Sequence, residues 1–366
     1  MLRPGRLGRP PKSKSLSSFN SGLQCLEKLD SQFWRTDITY QDLNYSRIIT
    51  VIPVYNGEAF IGQTLTSVAQ QKLKPDRVIV IDDGSKDATP DIVRGFKGLT
   101  CEYLRNPTNL GVIKNYNRAL DFASETDYLQ ILHADDLIAP DFYRVMTGLL
   151  DDCPGRGMAW CLDERIDENN RTLSLSGKPD GRTRIFSRDQ FLCAKAEFRN
   201  QAFCATLFKT DRKPSPCLYE PDFLIVNDMV FYADFAVHCH RLVQINLLLG
   251  KYRWHGSNTT SAYAPTIQSL VLDEWKAMMR NEGRRGRGAG FFRRLKLGGL
   301  FAVRSGIKAK RFRQNGNPEY ARKIVQAAQP IAGRPLWFAG QVLVELRDLA
   351  VYKLGGRVRH PKNVYG

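Results

Sequence analysis

Three observations predict an α/β fold built on a mostly parallel sheet flanked by helices. Apolar, β-branched runs alternate with segments of helical spacing between residues 48 and 136. The runs are continuously apolar, as strands buried on both faces must be. Three of the four end in polar or acidic clusters, at Tyr55-Asn56, Asp82-Asp83 and Asp135-Asp136. Ligands of parallel sheets bind beyond the carboxyl ends of the strands, so clusters that recur there describe one prospective site.

The first strand is IITVIPVYN (48–56), closed by Pro, Asn and Gly and followed by the helix-like GEAFIGQTLTSVAQQ. RVIVIDDGS (77–85) is the second, with a helix near Pro90 to Phe96. CEYLRN (101–106) is a short third strand. Val112, Tyr116, Ala119, Leu120 and Ala123 then fall at helical spacing. DYLQILHADD (127–136) is the fourth strand. Beyond Leu150 the alternation loosens: MAWCLDERID (158–167) and FCATLFK (203–209) read as strands, and DMVFYADFAVHCHRL (228–242) as a helix. YRWHGSNTTS (252–261) reads as strand or loop and TIQSLVLDEWKAMMRNE (266–282) as a helix. From residue 284 the chain is basic, with helix-like pieces around Pro318–Ala328 and Leu336–Leu354, while Gly298 and Gly299 argue against one continuous helix there. The organisation expected is a disordered basic N-terminus (1–20), a folded body (21–283) and a basic amphipathic helical extension (284–366).

A chain of 366 residues with 43% hydrophobic and 10% aromatic content can bury a full core. Its formal charge of +17 is unevenly placed. Residues 1–14 carry five basic residues and no acid, and 284–366 carry nineteen Lys or Arg against three acids, which leaves the body slightly acidic. A groove that reads nucleic acid is therefore not expected in the body; the basic ends suit an anionic surface instead. Eight cysteines without a C-x-x-C pair, and a start lacking an apolar leader, point to a reducing, cytoplasmic location. The most apolar stretch, Leu336 to Leu354, is interrupted by Glu345, Arg347 and Asp348, so no membrane span is expected.

Adjacent aspartates at a strand end suit a hard divalent cation that keeps room for phosphates, and they equally suit a helix cap. Two such pairs at one sheet edge, Asp82-Asp83 and Asp135-Asp136, would repel unless a cation or hydrogen-bonding ligand lies between them. His238-Cys239-His240 looks metal-like, but i and i+2 diverge on a helix, and a packed helix is expected there.

The segments PVYNGEAFIGQTLTSV, VIVIDDGSKDATPDIV, NLGVIKNYNRAL and LQILHADDLIAPDFY, in this order and spacing, closely resemble the family 2 glycosyltransferases of the GT-A fold. The resemblance covers about 48–145 strongly and implies a Rossmann-like sheet, a nucleotide-diphospho-sugar donor and a Mg2+ or Mn2+ cofactor. It makes 48–145 the nucleotide-sugar half and 146–283 the acceptor half. It implies that Pro53, Tyr55 and Glu58 border the nucleotide, that Asp82 and Asp83 contact base and ribose, and that Lys114 lies near the donor. Asp135 and Asp136 match the D-x-D-type motif, Asp136 as metal ligand and Asp135 as ligand or donor contact, with His133 in place of the first acid of the D-x-D-D form. Asn227-Asp228 stands where members carry Glu-Asp, so Asp228 is the implied general base of an inverting transfer, with Asp222 and Asp234 as competitors. His255 is a phosphate or metal contact on the same basis. The acceptor would be a glycan or lipid-linked glycan, and FFRRLKLGGLFAVRSGIKAKRFR (291–313) could lie on an anionic membrane. The rival readings are a sugar-phosphate nucleotidyltransferase, which would need a Gly-rich basic loop in place of Tyr55-Asn56-Gly57-Glu58, and a non-catalytic membrane- or nucleic-acid-binding protein.

Overall fold

The computed structural model describes residues 48–197, 201–223, 226–256, 271–286, 290–314 and 316–353. The expected disordered N-terminus, the SNTTS end of the 252–261 segment and the beginning of the 266–282 helix lie outside the described residues.

Ten strands form one sheet: β1 Ile48–Val54, β2 Arg77–Asp82, β3 Glu102–Arg105, β4 Tyr128–Ile131, β5 Leu137–Ile138, β6 Gly157–Ile166, β7 Thr172–Leu175, β8 Thr183–Ile185, β9 Thr206–Lys209 and β10 Arg241–Arg253. The main order is β3-β2-β1-β4-β9-β6-β10-β5. β1 pairs parallel with β2 and β4, β2 with β3, and β10 with β6. β9 runs antiparallel between β4 and β6, so the sheet is mixed at its middle. The FCATLFK strand is shorter than its composition suggests: Ala202 O accepts from Ala205 N and from the Thr206 hydroxyl, which folds 203–205 into a 3-10 turn before β9.

The helices are α1 Ile61–Ala69, α2 Thr89–Gly95, α3 Val112–Asp121, α4 Phe142–Gly148, α5 Arg188–Ala196, α6 Asn227–Val237, α7 Asp273–Gly283, α8 Phe291–Gln314, α9 Pro318–Ala332 and α10 Arg334–Lys353. All seven residues of β1 are buried because both faces are covered. Ile52 and Val54 pack with Ile61, Leu65 and Val68 of α1 and Phe142 and Met146 of α4. Ile49 and Val51 face the opposite layer, with Ala119 and Leu120 of α3 and Phe231 and Phe235 of α6. This alternation is the period of two that strand geometry imposes. β1 is flanked on both sides by parallel neighbours, so the C-terminal ends of β2 and β4 share one edge.

Two further elements depart from expectation. α6 ends at Val237, not Leu242: His240 N donates to Arg156 O and Arg241 pairs with Gly157, which draws the chain into β10. His238-Cys239-His240 is therefore a connection and not a packed helix. α8 runs unbroken for 24 residues through Gly298 and Gly299. A Cβ on Gly298 would approach Leu336 to 2.9 Å, and one on Gly340 would meet Ala302 Cβ at 2.9 Å and Val303 N at 3.1 Å. Glycine here permits α8 and α10 to touch, and that packing outweighs its poor helix propensity. Leu297, Phe301 and Phe312 of α8 share a core with Ile324 of α9, Trp337 of α10 and Met278 of α7. Ion pairs hold the same joint: Arg293 with Glu197 and Glu282, and Arg304 and Lys308 with Glu274.

Candidate active site

The chain leaves β4 at Ile131 and turns sharply, Asp136 N donating to His133 O at 3.2 Å, before β5 pairs with β10. The turn is fastened from two sides. Thr64 of α1 donates its hydroxyl to Ala134 O and Asp136 O, both at 2.9 Å. From β10, Arg253 donates its backbone N–H to Asp136 Oδ1 at 2.8 Å and its Nε–H to Asp135 O at 2.8 Å. The Arg253 side chain is fully buried, lies 4.6 Å from the centre of the Phe60 ring and reaches Gln63 Oε1 at 3.0 Å and Asn170 Oδ1 at 2.9 Å. A guanidinium suits this place because its fork can satisfy several acceptors at once.

Within the turn, His133, Asp135 and Asp136 each bring one ligand atom to within 4.8 Å of the others. Asp136 is wholly buried and its Oδ2 makes no hydrogen bond; His133 Nδ1 lies 3.5 Å from it. His133 Nε2 is likewise buried without a hydrogen bond. Asp135 Oδ2 lies 2.9 Å from His255 Nε2. Burial, reinforced by the neighbouring charge of Asp135, pushes the Asp136 carboxyl well above the usual range. Burial acts the same way on Asp135, but interactions led by the His255 hydrogen bond outweigh it, and its net shift is downward. Burial lowers the His133 imidazole, favouring the neutral form that can ligate a metal. A neutral imidazole beside two carboxylates, one with an unused buried oxygen, is a donor set that fits a divalent ion. His133 stacks on Phe203 and meets Tyr116 edge-on.

The other expected residues are distributed around the same edge. Asp82 accepts from Ser85 N and Arg105, both near 2.8 Å, and from the Tyr103 hydroxyl. Asp83 accepts from Asn106 Nδ2 at 2.6 Å, Leu110 N at 2.8 Å and Gly111 N at 2.9 Å. The protein itself thus satisfies this pair, and the supposition that its charge needs a cation shared with Asp135-Asp136 is not required. Gly84, at φ 77, makes the turn that lets these donors converge. Pro53 is buried in β1, Tyr55 is 45% exposed, and Glu58 Oε2 accepts from Ala88 N at the start of α2. Lys114 is exposed on the first turn of α3.

Asp228 opens α6 and is half-buried, with Oδ1 accepting from Met229 N at 2.7 Å. The Tyr116 and Tyr252 hydroxyls are raised first by burial and then by the charges of Asp135, Asp136 and Asp228. Of the competitors, Asp234 is tied to Arg280 and Arg284 at 2.9 and 2.7 Å, and Asp222 is exposed in the loop before α6. Asn227, where an acid was expected, exchanges hydrogen bonds with the backbone of Glu220.

The sequence model described as Glycosyl transferase family 2 matches residues 49–212, which include β1 to β4 and the whole turn carrying the three prospective ligands. Residues 49–212 form a glycosyl transferase family 2 domain. A glycosyltransferase of Rickettsia typhi, itself uncharacterized, is 29% identical over 140 residues, 38% of this chain and 43% of that protein. An uncharacterized glycosyltransferase of Haemophilus influenzae is 34% identical over 101 residues, 27% of this chain and 40% of that protein. The matches span less than half of these relatives. Among solved structures, S. aureus TarS 1-349, in complex with UDP-GlcNAc, aligns with a TM-score of 0.56 at 17% identity over 86% of this chain and 93% of that one. The fold is accordingly GT-A.

Two residues of this site are not evident from the sequence alone. His133 stands in the place of an acid, and its position two and three residues before the aspartates is the signal that it could join them as a ligand. Arg253 lies in the YRWH segment, and a lone arginine carries no sequence signal of complete burial under the Asp135-Asp136 turn.

Proposed function

We propose that this protein transfers a sugar from a nucleotide-diphospho-sugar to a hydroxyl of a glycan or lipid-linked acceptor, with inversion. The transferase unit is 21–283, with 48–145 holding the donor and 146–283 facing the acceptor. The observation that carries the reading is the turn after β4, where a buried Asp136 oxygen without a hydrogen bond adjoins Asp135 and a neutral His133. Those three residues would hold Mg2+ or Mn2+, which when bound neutralises charge on the departing diphosphate, so that no protein acid is needed there. Pro53, Tyr55 and Glu58 border the nucleotide, Asp82 and Asp83 form the floor under base and ribose, and Lys114 approaches the donor phosphates. Asp228 takes the proton from the acceptor hydroxyl as that oxygen attacks the anomeric carbon. His255 orients Asp135 through their 2.9 Å contact and stands ready to meet phosphate.

The donor pocket is tested by thermal stabilisation with a panel of nucleotide sugars in Mn2+ or Mg2+, since a bound donor stabilises the fold by mass action. UDP-GlcNAc is the first to try, being the ligand of the TarS complex. Asp136→Asn keeps an oxygen for Arg253 N–H but removes the charge. It should abolish metal-dependent release of nucleoside diphosphate with the thermal midpoint preserved; full turnover in this variant overturns the proposal. Asp228→Asn should retain metal and donor binding while losing transfer.

A further inference from the structure

We propose that the C-terminal bundle docks this protein on an anionic phospholipid surface, through the outer face of α10 and the first turn of α8. Helix α10 is apolar on two sides. Trp337 and Val344 are buried, and Gly340 lies against Ala302 of α8, on the face that packs on the bundle. Phe338, Val342, Leu343 and Leu346 are 72, 42, 56 and 54% exposed on the other. At 100° per residue those four span an arc of roughly 140°, broader than a chance scatter of single exposed side chains. A surface helix in contact with water ordinarily presents polar residues there.

Contacts of Gly298 with Leu336, Ala302 with Gly340 and Lys310 with Glu345 show that α8 and α10 run parallel, so both helices begin at one end of the bundle. Phe291 and Phe292, 72 and 84% exposed, open α8 at that end. Six of the most exposed large apolar side chains are thus concentrated on two helices of the extension.

Charge identifies the occupant. Arg294 and Arg334, both exposed, stand one turn from Phe291 and Phe338, and neither forms an ion pair among the described residues. Apolar side chains beside uncompensated cations match an anionic lipid headgroup boundary. The surface differs from the basic 291–313 stretch taken as a free amphipathic peptide. Much of that stretch is committed inward: Arg293, Lys296, Arg304, Lys308 and Lys310 all pair with acids of the protein. No helix among the described residues is long and apolar enough to cross a membrane, so the contact is peripheral.

The test is sedimentation of the full chain with vesicles of phosphatidylcholine alone or containing about one-third phosphatidylglycerol, with the monomer state checked by light scattering. Wild type should co-sediment with the anionic vesicles only and be released by high salt. Phe338→Asp with Leu346→Asp should weaken partitioning by at least about tenfold at an unchanged thermal midpoint. Arg294→Gln with Arg334→Gln should weaken it on anionic vesicles without touching the apolar face. The proposal is overturned if wild type ignores both vesicle types or if the aspartate variant binds undiminished. It is also overturned if that variant instead converts a dimer to a monomer, which would make the face a contact between copies of this chain. Because neither pair of substitutions touches the candidate active site, metal and donor binding should persist, and this result stands apart from the fate of the transferase reading.

Discussion

Arg253→Met tests whether the buried guanidinium is what holds the prospective metal ligands in place. The substitution keeps the length and apolar body of the side chain but removes every donor. Acceptors at Gln63 and Asn170 are exposed and recover water, so their loss costs little. Asp135 O is less accessible and loses the 2.8 Å bond from Nε, at about 1–3 kcal/mol. The stacked contact with Phe60, 4.6 Å from its ring centre, adds ~1 kcal/mol. Against this, the variant escapes the desolvation of a buried cation, whose pKa burial already lowers. The net expectation is a loss of about 2–3 kcal/mol in urea unfolding, followed through the neighbouring Trp254. Calorimetric titration should show Mn2+ bound about tenfold more weakly, the scale on which lost supporting contacts are felt at metal sites. Unchanged stability together with unchanged Mn2+ affinity would refute the argument that Arg253 fastens this turn.

Asp136, raised by burial, tends to hold a proton that an ion must displace, so apparent Mn2+ affinity should fall as pH is lowered, by up to about tenfold per unit below its pKa; titrations in buffers of different ionisation enthalpy should detect the released proton. Lys195, buried beside Gln201, is lowered by desolvation from 10.5 to about 7, with Asp228 opposing the shift. Its folded pKa lies below the unfolded one, so its contribution is fully favourable above pH 10.5, declines as pH falls and levels off below about 7. Lys195→Met should remove that slope, up to about 1.4 kcal/mol per pH unit, in unfolding measured between pH 7 and 10. Gly340→Ala gains ~1 kcal/mol of helix propensity but drives a methyl onto the Ala302-Val303 backbone, so a net loss of about 1–3 kcal/mol is expected in thermal unfolding.

The sheet was legible because its signals are local. Continuous apolar runs such as IITVIPV can only be satisfied by burial on both faces, and their polar terminations mark the edge where the chain turns. The β4 turn was legible as acids but not as a ligand set, because the role of His133 depends on Phe203 and Tyr116, distant in sequence, which bury it and favour its neutral form. The end of α6 was misplaced because apolar residues continue through Cys239 and Leu242 at a spacing that suits helix and buried strand alike, and the pairing of Arg241 with Gly157 decides the matter. The continuity of α8 was hidden for a similar reason. A glycine's cost to a helix is intrinsic, whereas its benefit, the approach of Leu336, comes from a helix that begins more than thirty residues later.

The energetics of the β4 turn bear on why the chain carries it at all. A fully buried carboxylate oxygen without a hydrogen bond is costly, and a second acid at the adjacent residue raises that cost. Asp82 and Asp83 show how the same edge accommodates acids when they serve the fold: every shortfall is met, by Arg105, Tyr103, Asn106 and backbone N–H groups. Asp136 is treated differently. One oxygen is fixed by Arg253 N–H, while the other is left facing His133 and Asp135. A protein that can satisfy one pair of aspartates with its own donors, yet leaves the other short, has placed the deficit where a cation would relieve it. A cation held there as proposed would relieve that deficit and so couple ion binding to the stability of the turn through the Asp136 carboxylate.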